Sequence, residues 1–451
     1  MAGDSRPVMT EQTTILIESL ENFWIMGLTE EFQEAVASMV EINFEPHDQV
    51  TSLLQTTRLL YALLSAYDLQ KCRDIHLLDK ALELGDMLYT FFDTSSRLPI
   101  ISWNATKVAD GVEQELSGNA TLAELTTYNL AFVRLSQLTG DIRFYDAVTR
   151  VINILKSQQS STKIPGLWPA EVNLQTLDLT SDNTFNVDAA SGPAYAQHTL
   201  MTRLLAIAPT VSPYTSMSTS ALDAIIQHIL FRPVTPTNES IMMASPAYTS
   251  QRYHITLTHN LDISSCTLGS TLALSAALTR NDTHLTYARL LTEGCIWTTL
   301  HAPPSFNGNI MPRNFSMLAC SSSKLSNSDE DCSFDPSVWP EQEYPGFEKI
   351  WDKKGPSVRP EVVMSLFALY RVTGEERWME VGWQMWEGVE RVMEEKIEQA
   401  LNGDTERDDE EFRMTMQTLK YFYLLFSKPD MLSLDEWVFA SDGGILWAGS
   451  V

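Results

Sequence analysis

Positive charge is scarce in this sequence. Lys and Arg number 31 against 58 Asp and Glu, which gives a formal net charge of −27. A field of that sign repels phosphate backbones and anionic lipid head groups, so nucleic acid is not an expected partner. No run of 18 or more uninterrupted apolar residues occurs, which predicts no membrane span. The segment at 1–12 has no basic stretch followed by an apolar one, so the sequence as written predicts no export signal.

Cysteine is also sparse, with five residues in 451. They stand at positions 72, 266, 295, 320 and 332, and an odd number leaves at least one thiol unpaired if the others form disulfides. The alternative is that all five are reduced. Five Asn-x-Ser/Thr triplets favour a secretory compartment, where disulfides form. They begin at Asn104, Asn119, Asn238, Asn281 and Asn314.

What the sequence does contain is paired helical patterns. Apolar residues recur with a period of 3.6, a short polar turn interrupts them, and the pattern resumes, as around LTGD at 138–141 and VTGEE at 372–376. Repeated helical hairpins cannot bury their inner faces alone, so we predict that they stack into an all-α ring. No linker is evident, and we expect a single domain over residues 1–451.

Seven sequence phrases resemble glycoside hydrolase family 47, the class I α-1,2-mannosidases, in family order. They are LIESLENFWIMGLTEEFQEA at 16–35, LLSAYDL at 63–69, LAFVRLSQLTGD at 130–141, PGLWPAEVN at 165–173, RPEVVMSLFALYRVTGEERW at 359–378, TLKYFYLLF at 418–426 and SLDEWVF at 433–439. The resemblance implies an (αα)7 barrel closed by a C-terminal β-hairpin plug at 436–447. It implies inner helices at 53–67, 125–138, 198–207, 266–279, 359–372 and 413–426. It also implies a further helix before residues 5–8, so we expect the sequence to begin one helix late.

The resemblance further implies a Cys266–Cys295 disulfide, and Cys320 and Cys332 could close a second. Members of this family are calcium-dependent inverting enzymes that trim high-mannose N-glycans. The implied context is therefore the secretory pathway, the endoplasmic reticulum or Golgi, with a glycoprotein as partner and the protein acting as a monomer. These are expectations from resemblance and not from composition.

The implied catalytic base is Glu361, with Arg58 and Arg359 binding substrate and Ser441 in the place of a calcium-ligating threonine. Glu361 has a second interpretation, because Glu in the first helical turn complements the helix dipole whatever the chemistry.

The remaining family acids are missing. Leu54 stands at the general acid, Gly192 at a second carboxylate, Met364 and Gln417 at acids of the calcium shell; Ala196 replaces a further glutamate and Arg413 a sugar-stacking aromatic residue. Ca²⁺ takes six to eight oxygen ligands, so we expect weak calcium binding at best.

Three hypotheses follow. The first is a glycan-binding or quality-control pseudoenzyme with little mannosidase turnover. The second is an active enzyme with a substitute acid, for which Asp188, Glu171 and Glu124 are candidates, although Asp188 is expected to be a surface acid of a loop. The third is a protein-interaction scaffold whose barrel is filled by apolar side chains such as Leu54 and Met364.

Overall fold

A computed structural model describes residues 11–42, 44, 50–104, 116, 118–251, 254–306, 309–320, 332–335, 344–351, 356–401, 409–441 and 443–449. The segment at 5–8, before which a further helix is expected, lies outside this part. Within the described residues the chain forms fourteen α-helices. They are α1 (Glu11–Ile25), α2 (Thr29–Val40), α3 (Leu53–Leu69), α4 (Ile75–Tyr89), α5 (Leu122–Thr126), α6 (Asn129–Thr139), α7 (Ile142–Gln158), α8 (Gly192–Leu204), α9 (Pro213–His228), α10 (Leu268–Thr279), α11 (Asp282–Leu300), α12 (Glu361–Thr373), α13 (Arg377–Leu401) and α14 (Asp409–Phe426).

The strands are short and pair into small sheets, with no closed sheet among them. They are β1 (Val50–Ser52), β2 (Ser102–Asn104), β3 (Asn119–Thr121), β4 (Glu171–Asn173), β5 (Thr184–Phe185), β6 (Leu230–Phe231), β7 (Met243–Ala244), β8 (Ala247–Gln251), β9 (His254–Leu257), β10 (Asn260–Asp262), β11 (Asn314–Ser316), β12 (Lys349–Ile350), β13 (Trp437–Phe439) and β14 (Ile445–Trp447). No described helix is both long enough and apolar enough to cross a bilayer.

Seven helices form a closed inner ring. In order around the ring, α1, α3, α6, α8, α10, α12 and α14 each pack against the next, and α14 packs against α1. Outside them, α2, α4, α7, α9, α11 and α13 each pack against the inner helix that precedes them in sequence. The predicted ring of helical hairpins is confirmed. The six predicted inner segments fall on inner helices, and α1 is a seventh that the prediction omitted.

Two predicted boundaries were wrong. The segment predicted to begin at 198 begins at Gly192, because Pro193 in the first turn starts the helix and its fixed φ suits that position. The segment predicted as 125–138 is divided, since α5 ends at Thr126 and α6 begins at Asn129.

Residue patterning separates inner from outer helices. Helix α10, LGSTLALSAALT, is buried on nearly every side, as an inner helix between neighbours must be. Helix α7 instead buries one stripe, which runs from Phe144 to Leu155 with the helical period. The turns between them are marked by caps: Asp141 accepts a hydrogen bond from the backbone N–H of Arg143, and Gly140 supplies the left-handed residue that ends α6.

The predicted hairpin plug is present and is not an exposed edge. Strands β13 and β14 pair antiparallel with Val438 opposite Leu446, and Ile445 and Leu446 are fully buried against the ring. Gly444 has φ +94, and a Cβ there would lie 2.9 Å from the Cβ of Tyr61. Glycine is therefore required for the hairpin to approach α3 this closely.

Buried polar groups of α3 hold the hairpin in place. The backbone N–H of Ile445 donates to Ser65 Oγ (3.1 Å), and that of Trp447 donates to Asp68 Oδ2 (2.9 Å). Asp68 is itself paired with Arg134, through Nη2 to Oδ1 at 2.7 Å and Nε to Oδ2 at 2.9 Å. The edge of β14 that faces α3 thus has hydrogen-bond partners for the N–H groups of Ile445 and Trp447.

An ion pair closes the ring between its first and last helices. Lys420 Nζ of α14 lies 3.1 Å from Glu21 Oε2 of α1, and both side chains are almost completely buried. The other Glu21 oxygen accepts from Ser65 Oγ at 3.0 Å, and Asn22 donates to the carbonyl of Met416 at 2.7 Å.

The expected disulfide between Cys266 and Cys295 is present, with Cα atoms 6.1 Å apart. Cys320 and Cys332 form the second, and Cys72 is the free thiol among the described cysteines. The first bond ties the entry to α10 to its outer partner α11.

Replacing Lys420 by Met should destabilise the fold by about 3–5 kcal/mol, because Glu21 is left as an uncompensated buried charge. Unfolding in urea measures this. The matched change at exposed Lys428 should stay within about 0.5 kcal/mol. The double change Glu21→Leu/Lys420→Met should recover most of the loss, and a double variant no more stable than Lys420→Met would contradict the assignment of the cost to the unpaired charge.

Candidate functional site

A cavity of about 360 Å³ opens where the inner helices begin. Its walls come from the N-terminal parts of α3, α8, α12 and α14, from the entries to α5 and α10, and from the tip of the β13–β14 hairpin. The described residues that line it are Leu54, Arg58, Thr121, Ala123, Glu124, Asp188, Ala189, Ala190, Pro193, Ser264, Thr267, Pro360, Glu361, Met364, Arg413, Met414, Gln417, Ser441 and Gly443. The volume lies within the usual range for small-molecule sites.

Three of the four predicted site residues line this cavity, and each has a buried polar atom with no hydrogen-bond partner among the described residues. These atoms are Arg58 Nε, Glu361 Oε2 and Ser441 Oγ. The fourth, Arg359, lies beside Glu361, and its buried Nε also has no hydrogen-bond partner among the described residues. Buried polar groups are normally satisfied, so this grouping of donors and acceptors marks a place for a polar ligand.

Glu361 is the first residue of α12 and is almost fully buried. Its Oε1 lies 3.6 Å from Arg359 Nη1. Burial raises the pKa of Glu361 above the ordinary value for glutamate; the guanidinium of Arg359 acts in the opposite direction, and the charge of Asp262 adds to the rise. Its position in the first turn also complements the helix dipole. The location of Glu361 therefore agrees both with a catalytic base and with a residue that only stabilises the start of the helix.

Two candidate substitute acids face the same cavity. Asp188 is half-buried, which corrects the expectation of a surface acid, because its loop folds inward and its side chain accepts from the N–H of Ala190 at 2.9 Å. Burial raises the pKa of Asp188, and Asp262 adds to that rise. Glu124 is engaged in a capping box with Thr121. Glu171 is exposed and bonded to Asn119, and it does not line the cavity.

The positions expected to have lost acids divide into two groups. Leu54, Met364 and Gln417 line the cavity, and they do not fill it. Gly192 and Ala196 are not among the lining residues. A Cβ at Gly192 would lie 2.8 Å from the carbonyl oxygen of Val187, so this backbone has no room for the aspartate expected there.

The residues near Ser441 do not form a calcium site of ordinary composition. Among the described residues, no group of three or more His, Cys, Asp or Glu side chains is arranged to hold a metal ion. The oxygen donors of Ser441 and Glu361 are accompanied by the amide of Gln417 and by Met364, whose thioether is not a ligand that hard Ca²⁺ prefers.

Sequence reasoning missed a second cavity of about 430 Å³ beside the first. Asp188 lines both, and Asp262, Asn260, Asn314 and Trp351 add polar groups and one partly exposed indole. Their signal in the sequence was weak, because these residues are far apart in the chain. Asn260 and Asp262 lie on β10, Asn314 lies on β11 and Trp351 follows β12, and the pairing of these strands brings them together.

Comparisons with known proteins identify the family of this helical toroid. A profile of glycosyl hydrolase family 47 matches residues 2–448. The chain belongs to this family. It is 28% identical over 443 residues to the mannosyl-oligosaccharide 1,2-α-mannosidase MNS1 of Arabidopsis thaliana, covering 95% of this chain and 70% of that protein. It is 27% identical to the endoplasmic reticulum mannosyl-oligosaccharide 1,2-α-mannosidase of Homo sapiens, covering 95% of this chain and 57% of that protein.

The chain thus spans 57% of the length of the human relative, so the activity of that whole protein is not assigned to this chain here. Among solved structures, an α-1,2-mannosidase from Trichoderma reesei superposes with a TM-score of 0.77, covering 96% of this chain and 90% of that one. At 20% sequence identity this agreement establishes the fold alone.

Replacing Glu361 by Gln should stabilise the protein increasingly as pH rises. Because the folded pKa of Glu361 lies above its unfolded value, the native protein loses stability as pH rises through that folded pKa. Melting temperatures at about pH 4.5 and pH 8 measure the effect. Glu410→Gln, at an exposed second neighbour of Arg359, is the matched control. An equal shift at both pH values would contradict the buried acid described here.

Proposed function

We propose that this protein binds the terminal mannose residues of high-mannose glycans in the 360 Å³ cavity and cleaves α-1,2-mannose linkages far more slowly than active members of its family. The observation that carries the proposal is the set of buried, unpartnered polar atoms on Arg58, Glu361 and Ser441. A sugar's hydroxyl groups both donate and accept, so one ring can satisfy a guanidinium, a carboxyl and a hydroxyl together.

Slow turnover is proposed because the position expected for the general acid holds an apolar residue. Inverting hydrolysis needs a protonated carboxyl at the leaving oxygen and an ionised one activating water. Leu54 stands where the acid is expected, and an alkyl group donates no proton. A missing general acid typically costs about 10²–10⁴ in rate. Burial favours the neutral form of Glu361, which also weakens it as a base.

Calcium dependence is proposed to be weak or lost. Ser441 could contribute a hydroxyl and a carbonyl, and Glu361 a carboxylate, but Met364 and Gln417 supply no charge around them. If the ion binds, Ser441 and Glu361 are the residues that would hold it, and it would contribute positive charge and bound water near the sugar.

The proposed setting is the secretory pathway, acting as a monomer on glycoproteins. The two disulfides and the five glycosylation triplets suit an oxidising compartment. The human relative carries the endoplasmic reticulum in its name. A glycan-binding member without rapid turnover fits a role in recognising glycoproteins and not in trimming them.

Titration with α-1,2-mannobiose, followed by calorimetry, should give saturable binding. Arg58→Ala and Glu361→Gln should each weaken it about tenfold, the effect of losing one charge-assisted hydrogen bond. Arg97→Ala, at an exposed arginine that does not line the cavity, should leave it unchanged. Absence of binding to the unmodified protein would refute glycan recognition. Prompt mannose release, lost in Glu361→Gln, would refute slow catalysis.

Calcium should not bind with micromolar affinity to the metal-stripped protein, because too few anionic oxygens surround Ser441. Calorimetric titration with CaCl₂ tests this, and mannobiose affinity should be the same with and without a chelator. A tight site that is abolished by Ser441→Ala would contradict the assignment.

A second candidate function is an active enzyme in which Asp188 serves as general acid. The favouring observation is that Asp188 and Glu361 line one cavity and that burial raises the pKa of Asp188, which keeps its proton available. Mannose release that falls with Asp188→Asn but not with Asp182→Asn, a nearby acid that lines no part of the cavity, would favour this candidate. The scaffold hypothesis has less support, because Leu54 and Met364 leave the cavity open.

A further inference from the structure

A larger cavity, of about 710 Å³, lies at the opposite end of the barrel. It is bounded by the last turns of α8, α10 and α12, by the segment after α14 and by β13. The inner helices separate it from the glycan cavity: α10 alone is twelve residues long, which is about 18 Å. Nothing in the proposed function uses this space.

The charge of this cavity is opposite to that of the whole protein. Three arginines line it, Arg203, Arg280 and Arg371, one from the end of each of three successive inner helices. Asp435 is the one carboxylate among the described lining residues, and Asp430 lies close enough to act on Arg371. The whole chain has a net charge of −27, so an excess of guanidinium groups around this cavity reverses the sign of the charge locally.

Two of these arginines have unused donors. Arg203 Nη1 and Arg371 Nε are buried and have no hydrogen-bond partner among the described residues. Burial lowers the pKa of Arg371, which means that its charge is poorly solvated where it stands. An anion in the cavity would supply both the missing acceptors and the missing charge.

The third arginine occupies a backbone position that favours glycine. Helices α6 and α12 end at Gly140 and Gly374 in the left-handed region, whereas α10 ends there with Arg280 at φ 55. A residue with a Cβ is less favourable at such a position. Arg280 therefore adds nothing to the turn that glycine would not, yet it places a guanidinium at the mouth of the cavity.

Helix capping accounts for only part of this cluster. Arg371 donates from Nη2 to the carbonyl of Leu424 in the last turn of α14 at 3.0 Å and from Nη1 to the carbonyl of Pro429, as cations near helix C-termini commonly do. Arg203 Nη2 donates to the carbonyl of Gly449, after β14, at 3.1 Å. Capping explains neither the unpartnered nitrogens nor the position of Arg280, and it does not require an open volume.

We propose that this cavity is a binding site for a small organic oxyanion, recognised by the forked guanidinium group of Arg280 and by the positive charge of Arg203 and Arg371. Arginine forks pair with carboxylate and phosphate oxygens in a bidentate manner. The volume suits a molecule of metabolite size and not a bare ion. A phosphate monoester and a polycarboxylate share the required chemistry. The site is independent of glycan binding.

The test titrates the full chain with fructose 1,6-bisphosphate and, separately, with citrate, at constant ionic strength. Arg280→Gly should lower the affinity about tenfold, the value of one charge-assisted contact, without lowering the melting temperature, because glycine suits that backbone. Arg97→Gly is the matched control: Arg97 has φ 59, is exposed and lines no part of the cavity, so it removes the same charge from the same backbone conformation.

Binding of either probe that is weakened by Arg280→Gly and retained in Arg97→Gly supports the proposal. Binding of the bisphosphate alone identifies the phosphate as the recognised group, and binding of citrate alone identifies the carboxylate. If Arg280→Gly misfolds, Arg280→Lys keeps the charge without the fork and should still weaken binding. Failure of both probes to bind, or an equal loss in the two glycine variants, would overturn the proposal.

Discussion

The buried ion pair between Glu21 and Lys420 is the constraint on which the architecture depends. A linear array of helical hairpins would leave an apolar face open at each end, whereas joining α1 to α14 removes both ends. Two charges are costly inside a protein unless each has further partners. Here Ser65 donates to Glu21 and accepts from the N–H of Ile445, so the same group that closes the ring also positions the hairpin inside it.

Closing the ring with parallel inner helices gives the barrel two different ends. Helix N-termini carry partial positive charge and free N–H groups, and C-termini carry partial negative charge. The N-terminal end holds Glu361, Asp188 and Glu124, and the C-terminal end holds Arg203, Arg280 and Arg371. The C-terminal end thus carries an excess of side chains of the sign that its helix dipoles favour, whereas the N-terminal end also carries Arg58 and Arg413; each end encloses a cavity. The hairpin between them contributes its tip to one and its first strand to the other.

The sequence predicted the scaffold better than the site. Periodicity and turn residues such as Gly140 and Gly374 act locally, so the hairpins, and with the family phrases the ring, could be predicted. Helix α1 was omitted from the ring because its place depends on Lys420, 399 residues away. Asp188 was misjudged for a similar reason: a turn favours Asp wherever it points, and the inward fold of the loop is a tertiary effect.

The residues that close the ring and the residues that line the glycan cavity are physically separate in this barrel. The ring is closed by Glu21, Lys420 and Ser65. These residues are buried among the helices and line none of the three cavities described above. Leu54, Met364 and Gln417 line the glycan cavity, and Met364 is at the same time part of the hydrophobic core. Gly192 differs, because a side chain there would meet the Val187 carbonyl. The half-buried positions Leu54 and Gln417 therefore leave room for a carboxylate in this backbone, whereas one at Met364 would enter the core and one at Gly192 would require the loop carrying Asp188 to move.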